Sequence, residues 1–206
     1  GKISSGELVK TLRVYKNESS LAVWDMISIL IGELKIFINE DTGAEINMKQ
    51  FVHELAHQQF ERLGAIERAE DSEDDKQLRP IILAHMLYSE DKVAISEALE
   101  IYQLAQDISE INAEVRSLVI SNKVRNQEST ELIDELIEIY TKTPNVDLKD
   151  DILAALSSTK NPETGKKMLA LMKNPQIVRP TRPFALVYLP TEESKNARFD
   201  LAVAKE

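Results

Sequence analysis

Apolar residues recur at every third or fourth position through almost all of the first 173 residues, and alternating strand-like runs with hairpin signals are missing. That spacing marks one face of an α-helix, because 3.6 residues complete a turn. The pattern predicts helices over 5–15, 19–39, 46–63, 77–88, 91–106, 112–125, 129–142, 147–157 and 162–173. Glycine and proline are scarce, at six and seven, and four of the prolines fall after residue 174. The fold class is therefore all-α. Short connections make successive helices antiparallel neighbours. Ser5, Ser19, Asn112 and Ser129 stand where N-caps are wanted, and Pro80 and Pro162 suit first-turn positions. Trp24 and the tyrosines at helical spacing are expected in the core, as is His85 within the apolar run IILAHMLY.

A weak internal repeat lies over this pattern. Residues 77–102 resemble residues 114–140, with Arg79 matching Arg116, Ile82 matching Val119 and Tyr102 matching Tyr140 after one insertion. A third copy over 147–172 has Lys149 where the arginines stand. Repeats of this length with two helices each predict stacked antiparallel pairs forming a curved HEAT- or armadillo-like superhelix. The repeat arginines are expected to anchor helix starts or pair with nearby acids, rather than to bind substrate.

Charge narrows the classes of partner. A net charge of −10 argues against nucleic acid or an anionic membrane surface. The absence of cysteine excludes disulfides and thiol chemistry and suits a reducing cytoplasm. The longest apolar run, MISILIG, is too short to span a bilayer.

One motif carries candidate chemistry. His53-Glu54-Leu55-Ala56-His57 spells HExxH, in which two histidines one turn apart bind zinc and the glutamate acts as general base. A catalytic zinc needs a third protein ligand. Glu61 lies eight residues of helix, roughly 12 Å, from His53 and cannot share an ion with it. The position where such peptidases often carry a glutamate falls on Lys76, and Glu73 and Asp75 lie in the stretch AEDSEDDK, which reads as a solvated acidic loop. Met48, Phe51, Val52, Leu55 and Leu63 form the apolar stripe of this helix and leave His53, His57 and Glu61 on the polar side. The motif therefore reads as a decoy, with two solvated histidines, no metal and no catalytic residue.

The repeat and its flanks nevertheless point to a zinc peptidase. YKNESSLAVWDMISILIGELKIF (15–37), QQFERLG (58–64), QLR (77–79), AEVRSLVISNKVRNQES (113–129), DLKDDILAALSSTKNPE (147–163) and MKNPQIVRP (172–180) occur in an order and spacing that resemble the C-terminal helical domain of M1-family zinc aminopeptidases. The likeness is greatest to the lactic-acid-bacterial type. The family's own zinc helix reads HELAHQWFGN, whereas this chain has Gln59 for the tryptophan and Glu61-Arg62 for the glycine-asparagine pair. The motifs GAMEN and LNEG are missing as well.

The resemblance implies that residues 1–180 are a non-catalytic domain that closes a substrate chamber, with zinc in an upstream catalytic domain and a peptide as substrate. The fragment alone would then be inactive. It also makes Arg179, in the family-like VRP, the candidate to face that chamber. Residues 181–206 are proline-broken and depart from the family pattern, which leaves the closing helices in doubt. Two alternatives stay open: a free-standing HEAT-like protein-binding scaffold, and a small zincin using His53, Glu54 and His57.

Overall fold

The structure, a computed structural model, describes residues 5–38 and 41–172. Among the described residues the chain forms nine α-helices and two 3-10 turns. They are α1 (Ser5–Leu12), α2 (Leu21–Ile38), α3 (Thr42–Leu63), α4 (Glu73–Tyr88), α5 (Lys92–Leu104), α6 (Ala113–Gln127), α7 (Thr130–Lys142), α8 (Val146–Ser157) and α9 (Pro162–Met172), with the 3-10 turns at Arg13–Asn17 and Ile108–Glu110. The predicted all-α class is the observed one. Two compact units divide the chain, residues 1–101 and 102–206.

In the first unit α2 contributes Trp24, Ile27, Ile31 and Leu34 to the core, α3 contributes Phe51, Val52 and Leu55, and α4 contributes Leu78, Ile82, Leu83 and Met86. Alanines 94 and 98, one turn apart on α5, are fully buried. A fully buried isoleucine such as Ile82 stabilises the fold by roughly 2–5 kcal/mol relative to alanine. Helix α4 packs against both α3 and α2. In the second unit α8 packs against α6, α7 and α9. Helices α2 with α4, and α6 with α8, therefore meet across an intervening element, as equivalent helices of successive stacked pairs do.

Caps explain most helix starts. Asn112 and Ser129 accept N–H bonds from Glu114 and Leu132, as the sequence predicts. At α2 the chain differs from expectation. Glu18 Oε1 accepts the amides of Ser19 and Ser20 at 2.8 Å each, and the helix begins at Leu21 instead of Ser19. Pro162 does open α9, but Pro80 sits well inside α4. The cause is that α4 begins at Glu73: Ser72 Oγ accepts the Asp75 amide and donates back to Asp75 Oδ2, so the acidic stretch becomes a cap and a first helical turn. Its carboxylates Glu73, Asp74 and Asp75 suit the positive end of the helix dipole. The tyrosines divide: Tyr140 is core, Tyr88 and Tyr102 are half-buried, and Tyr15 is exposed.

Candidate functional site

The HELAH segment lies in the middle of α3, with Met48, Phe51, Val52, Leu55 and Leu63 buried as the stripe predicts. Ala56, Gln59 and Phe60 are buried too, so the covered face is wider than the stripe alone. The two histidine rings stack with centroids 4.9 Å apart and planes 20° from parallel. Lone pairs on imidazole nitrogens lie in the ring plane, so parallel stacked rings direct them side by side rather than onto one point.

Each side chain of the motif has a protein partner. His53 Nε2 is 3.2 Å from Asp91 Oδ2, and His57 Nε2 is 3.5 Å from Glu61 Oε1. Glu54 lies 3.3 Å from Arg13 and accepts a bond from Gln50 Nε2 at 3.1 Å. Among the described residues no group of three or more His, Cys, Asp or Glu side chains is arranged to hold a metal ion.

His53 is half-buried rather than fully solvated, and its partner explains why. Asp91 Oδ1 accepts the amides of Val93 and Ala94 and so caps the start of α5. One turn before His53, Lys49 reaches Glu90 at 3.0 Å. Glu90 has φ +61°, a left-handed conformation that a residue with a Cβ adopts at a cost. Lys49 and His53 thus form a two-point clamp from α3 onto the tight turn joining α4 to α5.

The repeat arginines are anchors. Arg79 is buried, and its guanidinium donates to the Leu63 carbonyl at the end of α3 and to Asp71 in the connection that follows. The Arg68 backbone N–H, joined by Arg79, holds the Asp71 carboxyl below its ordinary range. Arg79 therefore pairs with a nearby acid, one of the two expected roles, and closes a helix end rather than a helix start. Gly64, with φ +64°, turns the chain away at that point. Arg116, also buried, donates from Nε to Asp151 on α8 at 2.9 Å. Burial raises the Asp151 carboxyl even though Arg116 pulls it down. In the third copy Lys149 lies 5.4 Å from the centroid of the Tyr140 ring.

His85 occupies the core as predicted, 5.9 Å from Trp24 between ring centroids. Its Nε2 is 2.8 Å from Ser28 Oγ, and that hydroxyl also bonds the Trp24 carbonyl at 2.8 Å. With the hydroxyl proton on the carbonyl, the imidazole is the donor, so the pair is a structural link and not an activated nucleophile. Burial, with help from the Lys35 charge, lowers the His85 pKa to about 4.

An open groove of about 460 Å³ lies in the second unit at the α6–α7 and α8–α9 turns, where Glu128 accepts the hydroxyls of Thr159 and Thr164. Of the lysines that line it, Lys160 and Lys167, the second is balanced by Asp134 at 2.7 Å. Nothing about the groove selects a ligand class.

Comparison with known proteins adds the decisive observation. A model of the ERAP1-like C-terminal domain matches residues 1–197. This chain belongs to the ERAP1-like C-terminal domain family. It is 33% identical over 178 residues to the aminopeptidase N of Lactobacillus delbrueckii subsp. lactis, a match covering 86% of this chain and 21% of that protein. It is 32% identical over 181 residues to the aminopeptidase N of Lactococcus lactis subsp. cremoris strain MG1363, covering 87% and 21%. The aminopeptidase N of Lactobacillus helveticus is 29% identical over 180 residues. The ERAP1-like domain thus spans about one fifth of the length of the curated relatives it matches.

For this ERAP1-like domain, Arg179 and the other positions after 172 lie outside the described residues. Asp91 and Glu90 stand 38 and 41 residues from their partners on α3, beyond the reach of any local pattern. Only the Asp91-x-x-Ala94 start of α5, a polar residue ahead of a helical run, signals a cap there.

Proposed function

We propose that this chain is the non-catalytic C-terminal domain of a cytoplasmic zinc aminopeptidase, and that it closes a substrate chamber over a catalytic centre carried elsewhere in the same polypeptide. That enzyme would remove N-terminal residues from peptides. The observation carrying this reading is the match of the chain to one fifth of several aminopeptidases N, within a family described as a C-terminal domain. The state of the HELAH segment supports it independently. His53 and His57 are stacked and paired with Asp91 and Glu61, and Glu54 is turned towards Arg13, so these residues do not fit a zinc centre.

In this reading zinc belongs to the catalytic domain, which is the partner of this chain together with the peptide, and neither nucleic acid nor membrane is involved. Among the described residues no helix is long and apolar enough to cross a membrane. Residues 1–180 form the body of the domain in this reading, although the family match runs on to residue 197, and Arg179 is the candidate contact to the chamber.

The test is metal content of the purified 206-residue chain, measured beside hydrolysis of an aminoacyl-aminocoumarin panel with and without added zinc. Less than about a tenth of a zinc per chain and no turnover are expected. One zinc per chain, with turnover abolished by Glu54→Gln, would overturn the reading and make α3 an active-site helix.

A further inference from the structure

Helix α2 breaks the rule that a surface helix is apolar on one face only. Its inward face carries Trp24, Ile27, Ile31 and Leu34, all buried. Stepping 100° per residue, the opposite face carries Ala22, Met26, Ile29, Gly32 and Ile36, with Asp25 and Glu33 at intervals. Met26, Ile29 and Ile36 are 66, 65 and 69% exposed. A helix apolar all round belongs inside a structure, and an end helix of a stacked array normally turns a polar face to water. Helix α7 obeys the rule: Glu131, Asp134, Glu135 and Glu138 are exposed.

We infer that the outer face of α2, centred on Met26, Ile29 and Ile36, is the seam onto which the preceding part of the same polypeptide docks, through an amphipathic helix with an apolar stripe and a basic rim. This rests on the reading of the chain as the C-terminal domain of a longer enzyme. Two observations select that occupant over a second copy. The relatives carry about four fifths of their length outside the matched region, and that region is a C-terminal domain, so most of the remaining chain enters from the side of α1 and α2. The acids Asp25 and Glu33 flank the apolar residues, so an identical face would bring like charges together, whereas a lysine- or arginine-rimmed helix would neutralise them.

A photocrosslinking amino acid at position 29 of the full polypeptide, expressed from its own gene, tests the seam. Position 100, exposed on α5, serves as the control. The expected product is an intramolecular crosslink from position 29 to a residue upstream of this chain, located by mass spectrometry and lost when Met26→Glu and Ile36→Glu are added. The same double variant should leave the melting temperature of the isolated 206-residue chain within about 2 °C of the parent, because both residues are largely exposed. A crosslink to a second copy, or none above the position-100 control, would overturn the seam while leaving the domain reading intact. A native polypeptide with the 23.3 kDa mass of this chain alone would overturn both.

Discussion

His85 gives the first unit a stability that drains away in mild acid. The imidazole titrates at about 4 in the folded chain and near 6.5 in the unfolded one. Because the folded value is depressed, the stabilisation is fully present above about pH 6.5 and is lost as pH falls towards 4. At pH 5 the unfolded imidazole is about 97% protonated and the folded one about 9%, whereas at pH 7 both are mostly neutral. Taking the logarithm of the two binding polynomials, the fall from pH 7 to pH 5 removes about 2 kcal/mol from this residue alone. That is a large share of the 5–15 kcal/mol typical of a domain.

His85→Gln keeps an amide N–H near the position of Nε2 and removes the titration. Urea unfolding at pH 7 and pH 5, followed by Trp24 fluorescence, makes the comparison, since Trp24 is the only tryptophan and is fully buried. The parent should lose about 2 kcal/mol more than the variant between the two pH values, carboxylate effects being common to both. Equal losses, or an NMR titration placing His85 above pH 6, would refute the argument that burial decides its protonation.

Three further outcomes follow from described contacts. At Glu90, glycine should be more stable than alanine by about 1 kcal/mol in thermal melts, since only alanine carries a Cβ into the left-handed region and both variants lose the Lys49 pair. Equal melting temperatures would show that the turn is not strained. Arg116→Ala should cost about 2–3 kcal/mol in urea, below the full penalty for a broken buried pair because the Asp151 carboxyl is partly exposed, and the double variant Arg116→Met/Asp151→Leu should recover most of it. No recovery in the double variant would point to packing instead of charge. Lys35 lies mostly buried over the Tyr88 ring with its pKa lowered to about 8 by burial, so Lys35→Met should raise stability at pH 7 by about 1–2 kcal/mol net of the lost ring contact. The gain should shrink as pH rises from 8 towards 10.5, where the unfolded lysine also loses its proton; a pH-independent difference would rule out desolvation as the cause.

How much of this was legible in the sequence depends on the range of each interaction. Helix positions and the buried stripe of α3 follow from residues within one or two turns, and Met48, Phe51, Val52, Leu55 and Leu63 are where periodicity puts them. The anchoring of Arg79 and Arg116 was legible in kind, because a repeated arginine among acids seeks a carboxylate, though not in detail. The start of α4 was misplaced because a run of five acids within AEDSEDDK outweighed its capping signal. Ser72-x-x-Asp75 is a readable capping box, and with the helix starting at Glu73 rather than at 77, Pro80 falls inside it instead of in its first turn. The pairing of His53 with Asp91 required the α4–α5 turn to be folded against α3, which no local pattern encodes.

The two arginine anchors also set an order of assembly. Arg79 closes on Asp71 across 8 residues, while Arg116 waits for Asp151, 35 residues further on. The longer loop costs roughly 1.3 kcal/mol more in chain entropy. In a polypeptide emerging from its N-terminus, the first tie can form once residue 79 is free, and the second only after α8 has been made. The same arginine, copied by the repeat, acts in one place as an early latch and in the other as a late one.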